Sequence, residues 1–436
     1  MEKFVDRFLI YKGSHRERQN VAWNILGSAV YALASMVLCF IVMRMAGEDE
    51  GGIFGFGFST YGQQMFIVAY FGIRPFHITD GRQEYSFGDY LWLRTATCGA
   101  ALVLAACHLS FLMLTGEYST HKALVIFLLA GYKIIDGFAD AYESEFQRQG
   151  SLYLTGKSNT FRTILSVAVF LGILGISGNL LTASAAAVAA QVAGVLLFNV
   201  SVMGAGALPG VRFQGDAAAC LRLLKNTALL FVSVFLDFYI FSAAKYAIDG
   251  HLTDAMSGYF NILFMPTSVI YLAANFVIRP FLTKLTACWD GGDWDGFSRV
   301  RRRIGLVIGG LTVLAVAGAL ILGRPVLGIM ELLLGTGYEG RLTEHWIAFV
   351  VIILGGGLYA LANLYYYLLV IMRRQGMIFL VYLCAAIAAW FLSPILVVRF
   401  EIMGAAVCYV VLMAALTLGF CGLQGALFRK AKESET

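Results

Sequence analysis

The stretch HKALVIFLLAGYKIIDGFADAYESEFQRQG, His121 to Gly150, opens as an apolar run and then places Lys133, Asp136, Asp140 and Glu143 in its second half. At 100° per residue these four fall within an arc of about 80°, so they make one charged stripe on one helix face. A charge at bilayer depth costs roughly 2.5–3.5 kcal/mol on insertion scales. That face therefore cannot point at lipid. It lines a polar path, where it binds or couples, or it forms an ion-pair network with itself and neighbouring helices, Lys133 and Asp136 at i, i+3 being one such pair.

The surrounding composition makes this a membrane question. Of 436 residues, 59% are hydrophobic and only 14% charged, and the mean hydropathy is +0.75. Soluble domains carry about 25% charged residues. The net charge of +5 does not indicate nucleic acid, because basic residues of a membrane protein report its topology. Eight cysteines show no CxxC or metal-ligand spacing, so neither disulfides nor a structural metal is expected. No phosphate-binding glycine loop, zinc-helix motif or nucleophile elbow occurs. The chain reads as a non-enzyme with no catalytic residue, metal or cofactor, and with no ATP site. Residues 1–20 carry five Lys/Arg but lack a signal peptide's apolar core, so the first helix is expected to direct insertion.

Twelve spans of about 20 residues are expected near 21–43, 51–71, 90–114, 122–142, 159–178, 183–203, 221–243, 256–278, 304–323, 346–370, 377–398 and 402–425. With the N-terminus cytoplasmic, 24 Lys/Arg fall on that side and 6 on the other. A bias of this size places both termini in the cytoplasm. The expected domains are a cytoplasmic tail 1–20, a six-helix lobe 21–206, a linker 207–220, a second six-helix lobe 221–425 and a cytoplasmic tail 426–436.

An internal repeat supports that division. Phe71-Gly72-Ile73-Arg74-Pro75-Phe76 recurs as Phe276-Val277-Ile278-Arg279-Pro280-Phe281, each at the cytoplasmic end of the second span of its half. Six is even, so the halves insert the same way round, as parallel repeats about an axis along the membrane normal. This layout suits alternating access.

Other residues carry two readings each. Arg74 and Arg279 either anchor helix ends at lipid headgroups or grip phosphates bidentately, with Arg94 as a third cation. Asp237, in the aromatic setting FLDFYIF, is either protonated and inert, paired with Lys133, or a proton-coupling carboxylate. Tyr359 and the set Tyr365-Tyr366-Tyr367 either stack on sugars or belong to the interfacial belt. Pro266 kinks its span, and Gly355-Gly356-Gly357 permits close packing or bending.

The chain resembles the polysaccharide-biosynthesis flippases, which move lipid-linked oligosaccharide repeat units across bacterial membranes. Their superfamily also holds the multidrug and toxin exporters. The likeness is carried by Arg18 to Asn24, Gly52-Ile53-Phe54, Phe71 to Asp80, Tyr85 to Arg94, the Lys133/Asp136 pattern, Arg279-Pro280 and Trp289 to Asp293. It implies an all-α integral membrane protein, a V-shaped two-lobe transporter in a bacterial inner membrane. It implies an undecaprenyl-diphosphate-linked oligosaccharide as substrate, moved from the cytoplasmic to the outer leaflet by an ion gradient or membrane potential. The bilayer and, alongside it, a polysaccharide polymerase and glycosyltransferases are the implied partners.

On these readings Arg74, Arg94, Arg279, Lys133, Tyr359 and Tyr366 bind substrate, and Asp136, Asp140 and Asp237 couple to an ion. The alternative is a cation-coupled multidrug exporter of the same superfamily. That branch keeps a carboxylate in its first helix, where this chain has Asn24 and Ser28 but no acid.

The orientation is tested by labelling. Cys288 should react with a membrane-impermeant thiol reagent from the cytoplasmic side only, and a Gly116→Cys variant from the outside only. Labelling of Cys288 in intact cells would overturn the even-span arrangement.

Overall fold

The computed structural model describes residues 5–80, 84–204, 208 and 211–433, the side chains at positions 6 and 7 excepted. Arg82, one of the cytoplasmic charges counted above, and the expected lobe boundary at 206/207 lie outside these residues. Every regular element among the described residues is helical. We label the spans α1 Arg16–Ala46, α2 48–70, α3 Phe87–Leu114, α4 Thr120–Arg148, α5 Leu152–Ser177, α6 Leu180–Gly204, α7 Ala217–His251, α8 Asp254–Ile278, α9 Trp294–Leu334, α10 Trp346–Ile371, α11 375–400 and α12 402–433.

Nine helices among the described residues are long and apolar enough to cross a membrane. One of them, Gln375–Glu433, contains two spans, because Glu401 leaves the helical region at φ 50° and ψ −132°. The remaining two spans are α2, interrupted by a π-helical turn at Gly57–Tyr61, and α4, with its charged second half. Polar caps define the starts of several helices. Ser86 and Asp89 form a capping box on α3, and Ser119 and Thr253 cap α4 and α8.

By contacts the chain divides into Met1–Phe235 and Leu236–Thr436. The division falls inside α7, later than the linker expected from composition. In the first unit, residues 5–11 are no free tail. Val5 and Leu9 are 0% and 1% exposed, in an apolar cluster with Phe87, Tyr142, Phe146 and Tyr153. Helices α1 and α5 meet through glycines: a Cβ on Gly156 would lie 2.2 Å from the Trp23 carbonyl oxygen. Such small residues let backbones approach where lipid offers no hydrophobic drive to association.

In the second unit the glycine run of α10 has a packing role on three sides. A Cβ on Gly355 would strike Tyr409 of α12, one on Gly356 would crowd Ile270 of α8, and one on Gly357 would strike Thr312 of α9. Successive residues point 100° apart, so three glycines in a row admit three neighbours. Pro266 lies inside α8 without ending it.

The two repeat copies diverge locally. Phe71 and Gly72 turn left-handed at φ 49° and 66°, and a short helix Ile73–Thr79 follows. The second copy stays helical through Arg279–Phe281 into Leu282–Asp290. Glycine enters the left-handed region freely and valine does not, so Gly72 against Val277, the one mismatch of the motif, accounts for the difference.

The glycine contact yields a stability prediction. Gly156→Val should lower the thermal stability of the purified protein by at least roughly 1–3 kcal/mol, because the obstacle is backbone and cannot rotate away. Gly172→Val, where no neighbour lies within 4 Å, should be close to neutral.

Candidate ion and substrate sites

The charged face of α4 points into the first unit, and each of its acids meets an arginine from another element. Arg94 of α3 is fully buried. It donates to Asp140 Oδ2 at 2.9 Å and to the Ala69 carbonyl at 3.1 Å. That carbonyl is available because the helix breaks at Phe71 and Gly72, leaving last-turn acceptors without intrahelical donors. Arg74, on Ile73–Thr79, pairs with the other oxygen of Asp140 and donates to Gln147 Oε1 at 2.8 Å. Asp140 thus lies between two guanidinium groups.

One helical turn away, Arg162 of α5 bridges two further acids. It donates to Asp136 Oδ1 at 3.0 Å and to Glu143 Oε1 at 2.8 Å. Gln191 of α6 also donates to Asp136 Oδ1, and Tyr31 of α1 donates to Asp136 Oδ2 at 3.3 Å. The carbonyl of the Asn199 side chain accepts from Arg162 at 3.2 Å and Ser158 at 2.6 Å. Asn199 stands in a π-helical turn of α6, Leu196–Val200, a local widening that re-aims side chains.

Lys133 is buried as well, but it does not pair with Asp136 directly, as its i, i+3 spacing had allowed. Its ammonium donates to the Tyr31 hydroxyl at 2.7 Å, and that same hydroxyl reaches Asp136. It stands 3.9 Å from the ring centroid of Phe58, in the π turn of α2, a cation–π contact. Among the described residues no carboxylate oxygen forms an ion pair with it.

The second unit offers the opposite arrangement. Asp237 of α7 is half-buried and accepts a hydrogen bond from the Tyr359 hydroxyl at 2.9 Å. Within the second unit its partner is a hydroxyl, and no lysine or arginine described there pairs with it. Tyr359 stacks on Tyr271 with centroids 5.3 Å apart, and Tyr366 packs against Tyr367 and Tyr382. Tyr359 thus meets the carboxylate, while Tyr367 donates to Asn275 Oδ1 at 3.4 Å. Arg279 is exposed and makes no hydrogen bond or ion pair among the described residues.

The residues missed from sequence are Arg162, Tyr31, Gln191 and Asn199. Position in the chain groups Arg162 with the cytoplasmic basic residues, yet it is 3% exposed inside α5. Its place within the expected span 159–178 is the signal available. The others are single polar residues in apolar spans, and nothing local marks their partners. Among the described residues no three His, Cys, Asp or Glu side chains converge as metal ligands.

Removing one partner of a buried pair leaves an uncompensated charge. Arg162→Met should therefore destabilise the protein by roughly 3–5 kcal/mol, read as a lower unfolding temperature in detergent. Adding Asp136→Asn and Glu143→Gln should recover most of the loss. A triple variant no more stable than the single would refute mutual compensation.

No protein-family model matches the chain, and no curated protein matches it by sequence. Solved structures match in fold. A multidrug resistance MATE family transporter of the MOP superfamily, in an inward-facing conformation, superposes with a TM-score of 0.64 at 11% identity, covering 97% of this chain and 100% of that one. The MATE multidrug transporter DinF-BH gives 0.64 at 15% identity and 95% of each chain. The eukaryotic MATE transporter AtDTX14 gives 0.62 at 14%, over 96% and 99%. The likeness at these identities is one of architecture: the chain has the all-helical, twelve-span fold of the MATE transporters, in two six-helix halves.

Proposed function

We propose that this chain is a secondary membrane transporter that exports amphipathic organic cations in exchange for an inward-moving cation. The observation that carries the reading is Asp237, a half-buried carboxylate that accepts from the Tyr359 hydroxyl, with aromatic rings beside it and no basic partner among the described residues of its own unit. A carboxylate in an aromatic box attracts an organic cation by charge and by ring quadrupoles together. One acid that takes either the substrate or the coupling ion makes the two compete, which is the elementary requirement for exchange. The multidrug transporters among the fold neighbours support the same direction. The coupling carboxylate then stands on α7, and the missing acid of α1 is no obstacle.

The lipid-linked oligosaccharide flippase is the second reading. It is favoured by Lys133, buried without a carboxylate in contact, and by the exposed Arg279. Against it, Arg74 and Arg94 already share Asp140, so two of the cations meant for a diphosphate are occupied.

Binding of a fluorescent lipophilic cation such as ethidium to purified protein separates the two. Asp237→Asn should weaken it by roughly 1.5–3 kcal/mol, about ten- to a hundredfold, while Arg279→Lys leaves it unchanged. Wild-type ethidium affinity in Asp237→Asn would sink the exporter reading. Binding of a short-chain lipid diphosphate, lost in Lys133→Met and Arg279→Lys, would establish the flippase instead.

A further inference from the structure

Two cavities adjoin at one end of the first unit, and neither transport reading uses them. The first, of about 410 Å³, lies at the starts of α3 and α7, and Glu84, Tyr85, Arg148 and Arg212 are among the residues that line it. The second, of about 470 Å³, is walled by Trp92, Leu93 and Ala96 of α3 and by Cys220, Leu221 and Leu224 of α7. Gly215 and Asp216 line both. The chain before α7 is fastened to the start of α3 between them. The Gly88 amide donates to the Arg212 carbonyl at 2.9 Å, and the Ser86 hydroxyl to the Gln214 carbonyl at 2.7 Å. A Cβ on Gly88 would lie 2.5 Å from the carbonyl oxygens of Phe213 and Gln214, so this approach needs a glycine.

The charges at the first cavity differ in what they already hold. Asp89 accepts from the amides of Ser86 and Asp216, and Asp216 accepts from those of Ala218 and Ala219. These two acids cap the helix starts. The Arg148 side chain is 10% exposed and donates to Glu145 Oε1 at 2.9 Å, yet its Nε is buried without a hydrogen-bond partner. Arg212 and Glu84 are exposed, and among the described residues neither side chain forms a hydrogen bond or ion pair. Two guanidinium groups and one carboxylate therefore remain for a ligand. The apolar walls begin deeper: Trp92 and Leu224 stand roughly 8–10 Å along their helices from Phe87 and Ala217, at about 1.5 Å per residue. Trp92 is 64% exposed, as tryptophans at the headgroup level of a bilayer are. Charges of both signs, then a tryptophan, then an apolar wall follow the order of a phospholipid from headgroup to acyl chain.

We propose that the two cavities together bind one phospholipid with a primary-amine headgroup. Its phosphate is held by Arg212 and by Arg148 Nε, its ammonium by Glu84, and its chain lies against α3 and α7. A guanidinium fork matches a phosphate, and Glu84 attracts an ammonium while it repels a purely anionic headgroup. A soluble phosphate compound would have no use for the apolar half. By the charge bias of the loops this end faces the cytoplasm, so the lipid comes from the inner leaflet. It is a bound constituent and not cargo, which takes the inference beyond both transport readings.

Cys220, partly exposed in the apolar wall, reports occupancy with no added cysteine. The full chain in detergent is titrated with phosphatidylethanolamine, with phosphatidylglycerol of the same chains, or with soluble phosphoethanolamine. Alkylation by N-ethylmaleimide is followed peptide by peptide by mass spectrometry. Phosphatidylethanolamine at about ten times its Kd should slow Cys220 roughly tenfold by mass action. Cys107, exposed on the same helix as Trp92, should react as before. Phosphatidylglycerol should protect less. Arg212→Glu should abolish the protection, and Glu84→Lys should reverse the preference toward phosphatidylglycerol. Cys408, buried in the second unit at 0%, stays unlabelled unless the protein unfolds, and if Arg212→Glu exposes it, Glu84→Lys decides. Equal protection by both lipids, or a preference unchanged in Glu84→Lys, would mean apolar coverage alone and overturn the proposal. So would protection by phosphoethanolamine as strong as by its lipid, or no protection at all.

Discussion

The cost of holding charge out of water governs the first unit. Arg74, Arg94 and Arg162 come from three different elements and converge on the three acids of α4. Buried pairs of this kind return little net stability, since desolvation consumes most of the Coulombic gain. Their effect is to make one arrangement of helices far better than its neighbours, because any slip leaves an arginine or a carboxylate alone. Once these pairs are formed, Lys133 is the surplus charge of the cluster. It is accommodated by the Tyr31 hydroxyl and the Phe58 ring, partners that stabilise a cation without cancelling it.

The second unit is assembled by shape instead. Three consecutive glycines let α10 touch α8, α9 and α12 at close range. One acid, Asp237, has the Tyr359 hydroxyl as its partner within this unit. A structural network that used it would have supplied an arginine, as the first unit does for the three acids of the α4 stripe. An intramembrane carboxylate without such a partner is costly, and its retention is more readily explained by a ligand or ion than by architecture.

The repeated Arg-Pro motif shows how two copies of one pattern part company. Gly72 lets the first copy turn left-handed, and the short helix that follows carries Arg74 to Asp140. Val277 keeps the second copy helical, and Arg279 remains exposed. Equivalent positions in the chain have acquired different electrostatic duties through the conformational freedom of one residue.

The number of spans and the burial of the α4 stripe were legible in the sequence, because hydropathy over about 20 residues and the cost of a charge in lipid are local properties. So was the presence of a helical repeat. The partners of the stripe were not. Arg162 is 26 positions from Asp136 and Gln191 is 55 away, and no periodicity connects them. Nor could local pattern separate Asp237, left without a cation, from Asp140, held by two. The basic start of the chain read as a tail until packing placed Val5 and Leu9 in the core. Composition and spacing determined that this chain crosses a membrane in twelve helices and must hide a charged face. Only the tertiary structure decided which of those charges are cancelled, because compensation is a matter of distances between helices, and one-dimensional order does not contain them.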